Sequence, residues 1–427
     1  MEATIIIVTF VVALFLNIPV AYSLMISAMS AILVFGVVPI DFVVQAFFSA
    51  GDSFPLLAVP FFILAGDIMM EGGISKRLVD FARTMIGHRT GGLGAITVFT
   101  CMIFAAISGS GPATVAAIGG IMIPAMIKDK YDKSYACSLA AASGALGPII
   151  PPSISFVMYG IIASVSITEL FMGGIVPGIM MAIALMILNF FSSKKNHYGV
   201  KHERASAKER WKSFNEAKWS LLVPVIILGG IYGGIFTPTE SAVVACLYGI
   251  IVSLFVYKEI DIKTLGSIFA KSSLTSGTVL VLVGCATAFG RILTLEGIPT
   301  MLAESVLSIT TNKYIILLLI NIILFIVGML METLAAIVIL APLMLSVVEP
   351  LGVDPLHFGM IMVVNLVIGM CTPPVGVNIF VAARLGNTSI EKMMRKLIPM
   401  IGALLIVQLI ITYVPIVSTF LPKLLSH

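Results

Sequence analysis

Apolar residues run in long blocks along the whole chain, separated by short polar gaps, and block lengths near the ~20 residues of a bilayer-crossing helix predict membrane helices rather than strands. In the first half the blocks are 4–17, 19–37, 53–71, 92–108, 111–127, 134–148, 153–164 and 167–191. In the second they are 219–236, 239–257, 265–290, 314–329, 333–348, 356–371, 375–385 and 397–420. Several are too short to cross alone. Stretches 75–88 and 297–310 differ from the rest. The first carries Lys76, Arg77, Arg83 and His88 and suits lying along the interface, and the second is its counterpart. Residues 192–218 form the one long polar connector, rich in Lys and Arg.

The pattern after the connector repeats the pattern before it. Asn17-Ile18-Pro19-Val20 is echoed by Phe236-Thr237-Pro238-Thr239, Gly73-Ile74 by Gly297-Ile298, Ile123-Pro124-Ala125-Met126 by Ala341-Pro342-Leu343-Met344, and Pro151-Pro152 by Pro373-Pro374. A displacement held between 218 and 224 residues predicts two homologous halves. The first is 1–191, with outer helices in 4–71, an interfacial arm 75–88, a hairpin and broken helix 92–164 and a closing helix 167–191. The second is 219–427, with outer helices 219–290, an arm 297–310, a hairpin and broken helix 314–385 and a closing helix 397–420.

Composition removes the water-soluble alternatives. Of 427 residues 59% are hydrophobic, and 25 basic and 21 acidic side chains make only 11% charged, too few to cover a soluble surface. Mean hydropathy is +1.12. The net charge of +4 is spread through polar gaps rather than gathered in a patch, so no nucleic acid is expected. Cys101, Cys137, Cys246, Cys285 and Cys371 all sit in apolar blocks at spacings that make neither a zinc cluster nor a disulfide framework. The first residues run straight into apolar sequence, which reads as a membrane segment rather than a cleaved leader.

Charge then orients the chain. If 92–127 and 314–348 are re-entrant hairpins, each half crosses five times, an odd number, and the halves are inverted. With the basic connector 192–218 placed in the cytoplasm, Arg77, Arg83, Lys128 to Lys133, Lys258, Lys263, Lys392, Arg395 and Lys396 also fall inside, and both termini fall outside.

Candidate chemistry lies where apolar helices are interrupted. Ser108-Gly109-Ser110-Gly111-Pro112-Ala113-Thr114 is a polar hairpin tip, and Ser143-Gly144 through Gly147-Pro148 to Pro151-Pro152-Ser153 is a break where prolines withhold donors. The second half offers Gly328 to Thr333 and Gly369-Met370-Cys371-Thr372-Pro373-Pro374-Val375-Gly376-Val377-Asn378. Such breaks free carbonyls and aim helix N-termini into a cavity, and two tips facing two unwound helices predict two cation sites around one substrate site. Hydroxyl and carbonyl oxygens suit sodium; no carboxylate or imidazole set suits magnesium or zinc.

The first ion group is Ser108, Ser110, Gly147 and Pro151, with Thr114, Ser143 and Gly144 beside it; the second is Gly328, Thr333, Gly369 and Thr372, with Glu332 and Val375 beside it. Ser153, Pro374 and Asn378 are the substrate-contact candidates. Asp67, Glu240, Arg291 and Glu332 are ionisable residues at membrane depth; Glu332 either influences coupling or caps the helix after it, and Arg291 either meets an acidic substrate or snorkels. No GxGxxG or Walker pattern and no Ser, His and acid grouping occurs, so neither an organic cofactor nor an enzyme is expected.

Over nearly its full length the chain resembles the large membrane subunit of the tripartite ATP-independent periplasmic (TRAP) transporters. Pro60-Phe61-Phe62-Ile63-Leu64-Ala65-Gly66, Phe104 to Thr114, Gly144 to Ser153 and Thr372-Pro373-Pro374-Val375-Gly376 carry the resemblance. Gly111 stands where many relatives have a second consecutive serine. The resemblance implies an all-α polytopic protein of the bacterial inner membrane, an inverted repeat with two re-entrant hairpins and two discontinuous helices. It implies an elevator in which hairpins and broken helices move against a scaffold, importing an organic acid such as sialic acid or a C4-dicarboxylate with two or more Na+ ions. It also implies two partners, a small four-helix membrane subunit and a soluble periplasmic binding protein. A stand-alone anion or dicarboxylate symporter, or a channel, is the alternative from residue chemistry.

Overall fold

The computed structural model describes residues 2–36, 38–200 and 203–425. Met1, Val37 at the end of one expected span and Lys201 of the connector lie outside them. Every regular element among the described residues is helical. The first half runs α1 (Glu2–Phe15), α2 (Val20–Phe35), α3 (Ile40–Gly51), α4 (Ala58–Glu71) behind a 3-10 turn, α5 (Ile74–Ile86), α6 (Gly92–Ser108), α7 (Gly111–Thr114), α8 (Gly120–Lys128), α9 (Lys133–Gly144), α10 (Ile154–Ala163) and α11 (Ile167–Asn196). The second runs α12 (Ala207–Tyr232), α13 (Pro238–Ile251), α14 (Ile262–Leu295), α15 (Ile298–Ile309), α16 (Lys313–Leu330), α17 (Thr333–Val348), α18 (Pro355–Gly369), α19 (Val377–Gly386), α20 (Ile390–Tyr413) and α21 (Ile416–Leu425). Eight helices of the described residues are long and apolar enough to cross a membrane. The protein is a multi-pass membrane protein.

Local sequence accounts for where the helices stop. At the end of α6, Gly109 takes φ +59 and its N–H reaches the Ala105 carbonyl at 3.1 Å, a left-handed cap that a side chain would strain. Ser110 is then extended and Pro112 sits at the start of α7, where its missing N–H costs nothing. A π turn over Val115–Gly119 joins α7 to α8, so the arm leaving the tip is one nearly continuous helix. The counterpart arm, α17, is capped by the Glu332 carboxylate, which accepts from Leu334 N at 2.9 Å and Ala335 N at 3.3 Å.

The polar connector is more helical than its composition suggests. The helix α11 continues through Lys194 and Lys195 to Asn196, and α12 begins at Ala207 behind a capping box of Ser206 and Glu209. The bend thus shrinks to the residues between Asn196 and Ala207. Ile40–Gly51 forms a further helix, α3, in a stretch that none of the expected blocks covers; Pro39 and the break at Asp52 bound it.

The broken helices occupy the centre. All residues from Tyr135 to Gly144 in α9 and from Leu356 to Gly369 in α18 are buried, as expected for segments apolar all round. The halves interlock there: α9 packs on α19, and α10 packs on α17 and α18. All five cysteines are free and buried. In the second half a polar knot ties α16, α18 and α20. Asn321 Oδ1 accepts from Asn365 Nδ2, from Gln408 Nε2 at 2.8 Å and from Thr412 Oγ1 at 3.1 Å. Asn321→Leu leaves Asn365 Nδ2 without its acceptor, while Gln408 Nε2 keeps the Ile361 carbonyl and Thr412 Oγ1 the Gln408 carbonyl; unfolding in detergent is expected at lower temperature, by about 1–2 kcal/mol of stability, and an unchanged melt would mean water replaces the oxygen.

Candidate transport site

Each hairpin tip meets the broken helix of its own half. In the first half Ser108 Oγ lies 2.8 Å from Thr114 Oγ1, which donates to the Ser110 carbonyl at 2.8 Å. The tip backbone rests on the break so closely that a Cβ on Gly147 would collide with the Ser110 carbonyl oxygen and lie 2.8 Å from Gly111 N. A Cβ on Gly109 would lie 2.9 Å from the Pro152 carbonyl oxygen. Gly144 and Gly111 face each other, each carbonyl 3.2 Å from where the other's Cβ would stand. Ser143 is turned away and donates to Leu139 O at 2.7 Å. Ser153 hydrogen-bonds the Pro148 carbonyl and caps α10 by accepting from Phe156 N at 3.2 Å.

The second half repeats the arrangement with different atoms. A Cβ on Gly369 would lie 2.6 Å from Gly328 Cα, and one on Gly328 would lie 2.6 Å from the Leu366 carbonyl oxygen. Thr333 Oγ1 donates to Met370 Sδ at 2.7 Å, Thr372 Oγ1 to Ile368 O at 3.1 Å, and Val375 N to Met329 O at 3.0 Å. Pro151-Pro152 and Pro373-Pro374 are both cis. Gly376, at φ +41, turns the chain into α19.

One expected substrate residue crosses between halves. Asn378, at the start of α19, is fully buried and packs on the first tip, its amide about 3 Å from Cβ positions on Gly111 and Gly144. Its Nδ2 donates to Cys371 Sγ at 3.4 Å, and its Oδ1 has no partner among the described residues. Ser153 is buried in its capping role, and Pro374 is exposed. None of the three lines the large central cavity.

That cavity, about 630 Å³, is where both tips converge. Ser108, Ser110 and Ala113 come from the first, Glu332, Leu334 and Ala335 from the second. The facing wall is α14, with Lys271, Thr275 and Thr278 on one helical face, and α4, with Gly66 and Asp67. Lys271 Nζ is 3.2 Å from Asp67 Oδ1, and Ser272 Oγ donates to Asp67 Oδ2 at 2.7 Å. Lys271 keeps much of its side chain exposed while Asp67 is largely enclosed.

The ionisable residues at depth divide accordingly. Asp67 and Glu332 reach the cavity, Glu332 as a helix cap on its wall. Glu240 is spent in a capping box with Thr237, and Arg291 donates to Ser49 Oγ at 3.0 Å away from the cavity. Lys271 was not singled out in the sequence, although a lysine followed by Thr275 and Thr278 inside an apolar block marks one polar stripe. No group of three His, Cys, Asp or Glu among the described residues could hold a metal ion.

Comparison with known proteins agrees with this architecture. Residues 7–417 match a family model described as "Tripartite ATP-independent periplasmic transporter, DctM component". An isethionate TRAP transporter permease from Oleidesulfovibrio alaskensis is 49% identical over 96% of this chain, which spans 65% of that longer protein. The C4-dicarboxylate TRAP large permease of Rhodobacter capsulatus is 38% identical over 100% of both chains, and the sialic acid TRAP large permease of Vibrio cholerae is 38% identical over 96% of each. The crystal structure of the YdaH transporter of Alcanivorax borkumensis superposes with a TM-score of 0.62 at 16% identity, covering 87% of this chain and 86% of that one, a likeness of fold. These relatives are transport permeases, not enzymes. The chain belongs to the DctM family, the large permeases of the tripartite ATP-independent periplasmic transporters.

Proposed function

We propose that this chain is the translocating subunit of a sodium-driven importer of a small organic anion, moving its hairpins and broken helices as an elevator. The convergence of both hairpin tips and Lys271 on one cavity supports this reading most directly. Ser108, Thr114 and the Ser110 carbonyl cluster their oxygens at the first tip, where Ser108 and Ser110 line the cavity and Thr114 is buried behind them, a donor set suited to a hard monovalent ion. Ser110, Gly144, Gly147, Pro151 and Ser143 supply carbonyls nearby, and Gly328, Thr333, Gly369, Thr372 and Val375 form the second ion region. In this mechanism sodium pre-orders the tips, the anion enters opposite Lys271, and the assembled unit slides inward.

For the substrate class we take a carboxylate or sulfonate, which Lys271, the one basic side chain among the described residues on the cavity wall, would hold on the exposed side of its ion pair with Asp67. Relatives named for isethionate, C4-dicarboxylates and sialic acid span that class. The remaining parts of the proposal are a bacterial inner-membrane location, a cytoplasmic connector, periplasmic termini, a small four-helix membrane partner and a periplasmic binding protein that delivers the anion.

Uptake into proteoliposomes holding the chain with its small subunit, with binding protein outside, tests the reading. Accumulation of isethionate, succinate or sialic acid is expected only with sodium outside and binding protein present. Accumulation that persists with choline in place of sodium would sink the coupling. Ser108→Ala is expected to raise the sodium concentration for half-maximal uptake about tenfold, the worth of one lost oxygen contact; wild-type sodium dependence would remove Ser108 from the ion site.

A further inference from the structure

Among the described residues three clefts outside the transport cavity carry charged side chains. The largest, about 730 Å³ beside the first arm, sets Arg83, Lys128 and Arg204 against Asp129, Glu203 and Glu209, so its charges answer one another. A second, at about 240 Å³, likewise mixes Arg89 and Lys194 with Asp129. The third differs. A cleft of about 320 Å³ between the end of α11 and the start of α20 is lined by Lys195, Arg395 and Lys396, with Ser192 and Asn196 beside them and no acidic side chain among the described residues. Among the described residues neither Lys195 nor Arg395 has an ion-pair partner. Lys396 is held in place by Tyr198, donating to its hydroxyl at 3.2 Å.

We infer that this cleft binds the phosphate group of an anionic phospholipid. Three cations converging without a counter-ion repel one another, and a phosphate relieves that repulsion while accepting from the Arg395 fork and both ammonium groups. The surroundings identify the source of the phosphate. Phe191, 64% exposed, lines the cleft itself, and Ile187 at 52% continues the apolar surface one turn further along α11; Ile398, at 61%, does the same on α20. A headgroup in the cleft thus leaves its acyl chains along apolar helix faces, the arrangement expected of basic pockets between membrane helices. Tyr135 of α9 also lines the cleft, so one bound lipid touches the closing helices of both halves and the first broken helix together. The site shares no residue with the transport cavity, and it rests on the bilayer-spanning fold rather than on the choice of substrate or ion.

Native mass spectrometry of the full chain, titrated with phosphatidylglycerol or phosphatidylcholine, reads the site directly. One phosphatidylglycerol is expected to be retained in preference to phosphatidylcholine, with about fivefold weaker binding for Lys195→Gln or Arg395→Gln and a larger loss for both together. Lys195→Arg is expected to keep the selectivity. Millimolar inorganic phosphate should not displace the lipid. Equal retention of the two lipids by the wild-type chain, unchanged selectivity in a double variant that still elutes as a single folded species, or displacement by inorganic phosphate would each overturn the assignment; the last would make this a free-anion site. If the double variant fails to fold, the wild-type lipid comparison and the phosphate competition decide. Sodium-dependent uptake that survives alongside a negative lipid result would leave the transport reading standing.

Discussion

Gly369→Ala is expected to abolish uptake. The new methyl would lie 2.5 Å from the Gly328 carbonyl carbon, 2.6 Å from Gly328 Cα and 2.8 Å from Met329 N, all backbone atoms that no rotamer change can move aside. Relief requires the end of α16 to shift away from α18, and overpacking of this kind costs about 1–3 kcal/mol or more. The shift would break the Val375 N to Met329 O hydrogen bond and draw the second tip off the break it faces. Gly402→Ala is the matched control, since among the described residues no atom beyond its own stretch of helix lies within 4 Å of its added methyl and alanine is the better helix former. Uptake near zero for Gly369→Ala beside wild-type uptake for Gly402→Ala is the expected pair. Normal transport by Gly369→Ala would mean that the close approach of α16 and α18 is dispensable to the cycle.

Lys271→Gln is expected to lower uptake at limiting substrate by about 10- to 100-fold, the range of one charge-assisted hydrogen bond. Two effects act together. The anion loses the cation on the cavity wall, and Asp67 keeps its negative charge facing the same space with only Ser272 beside it. The loss should appear mainly in KM, with sodium dependence little changed, because Lys271 lies on the wall opposite the hairpin tips. Lys271→Arg is expected to recover most of the rate. Replacing both charges, Lys271→Gln with Asp67→Asn, separates the two effects: recovery to wild-type uptake would show that the lysine serves only to neutralise Asp67.

The hairpins were the most legible part of the chain. Gly92–Ser108 and Thr333–Val348 were expected at these bounds, because a glycine or a capping acid interrupts an otherwise unbroken apolar run and leaves the helix one place to stop. The meeting of Ser108, Ser110 and Gly147, and of Gly328 with Gly369, likewise follows from pairs of small residues that permit two backbones to touch. Helix length in the polar connector was harder to read, since charge says that a segment reaches water but not whether it stays helical there. Lys271 was obscured for a related reason. The stripe it forms with Thr275 and Thr278 marks a polar helix face without saying what that face meets, and only the approach of α4 with Asp67 places it on a cavity wall. Lateral neighbours in an all-helical membrane protein are set by packing between distant segments, which local periodicity does not encode.

The position of Asn378 carries a consequence for how the protein can be divided. A residue numbered in the second half is sealed beneath the first hairpin tip, while α10 of the first half leans on α17 of the second. The seam in the gene product and the seam in the machine are therefore different surfaces. Cutting the chain between Asn196 and Ala207 would give two fragments, each exposing a face built to be covered by the other, and neither would contain a complete carrier. Co-expressed, they should find each other and reassemble; expressed singly, each should be degraded.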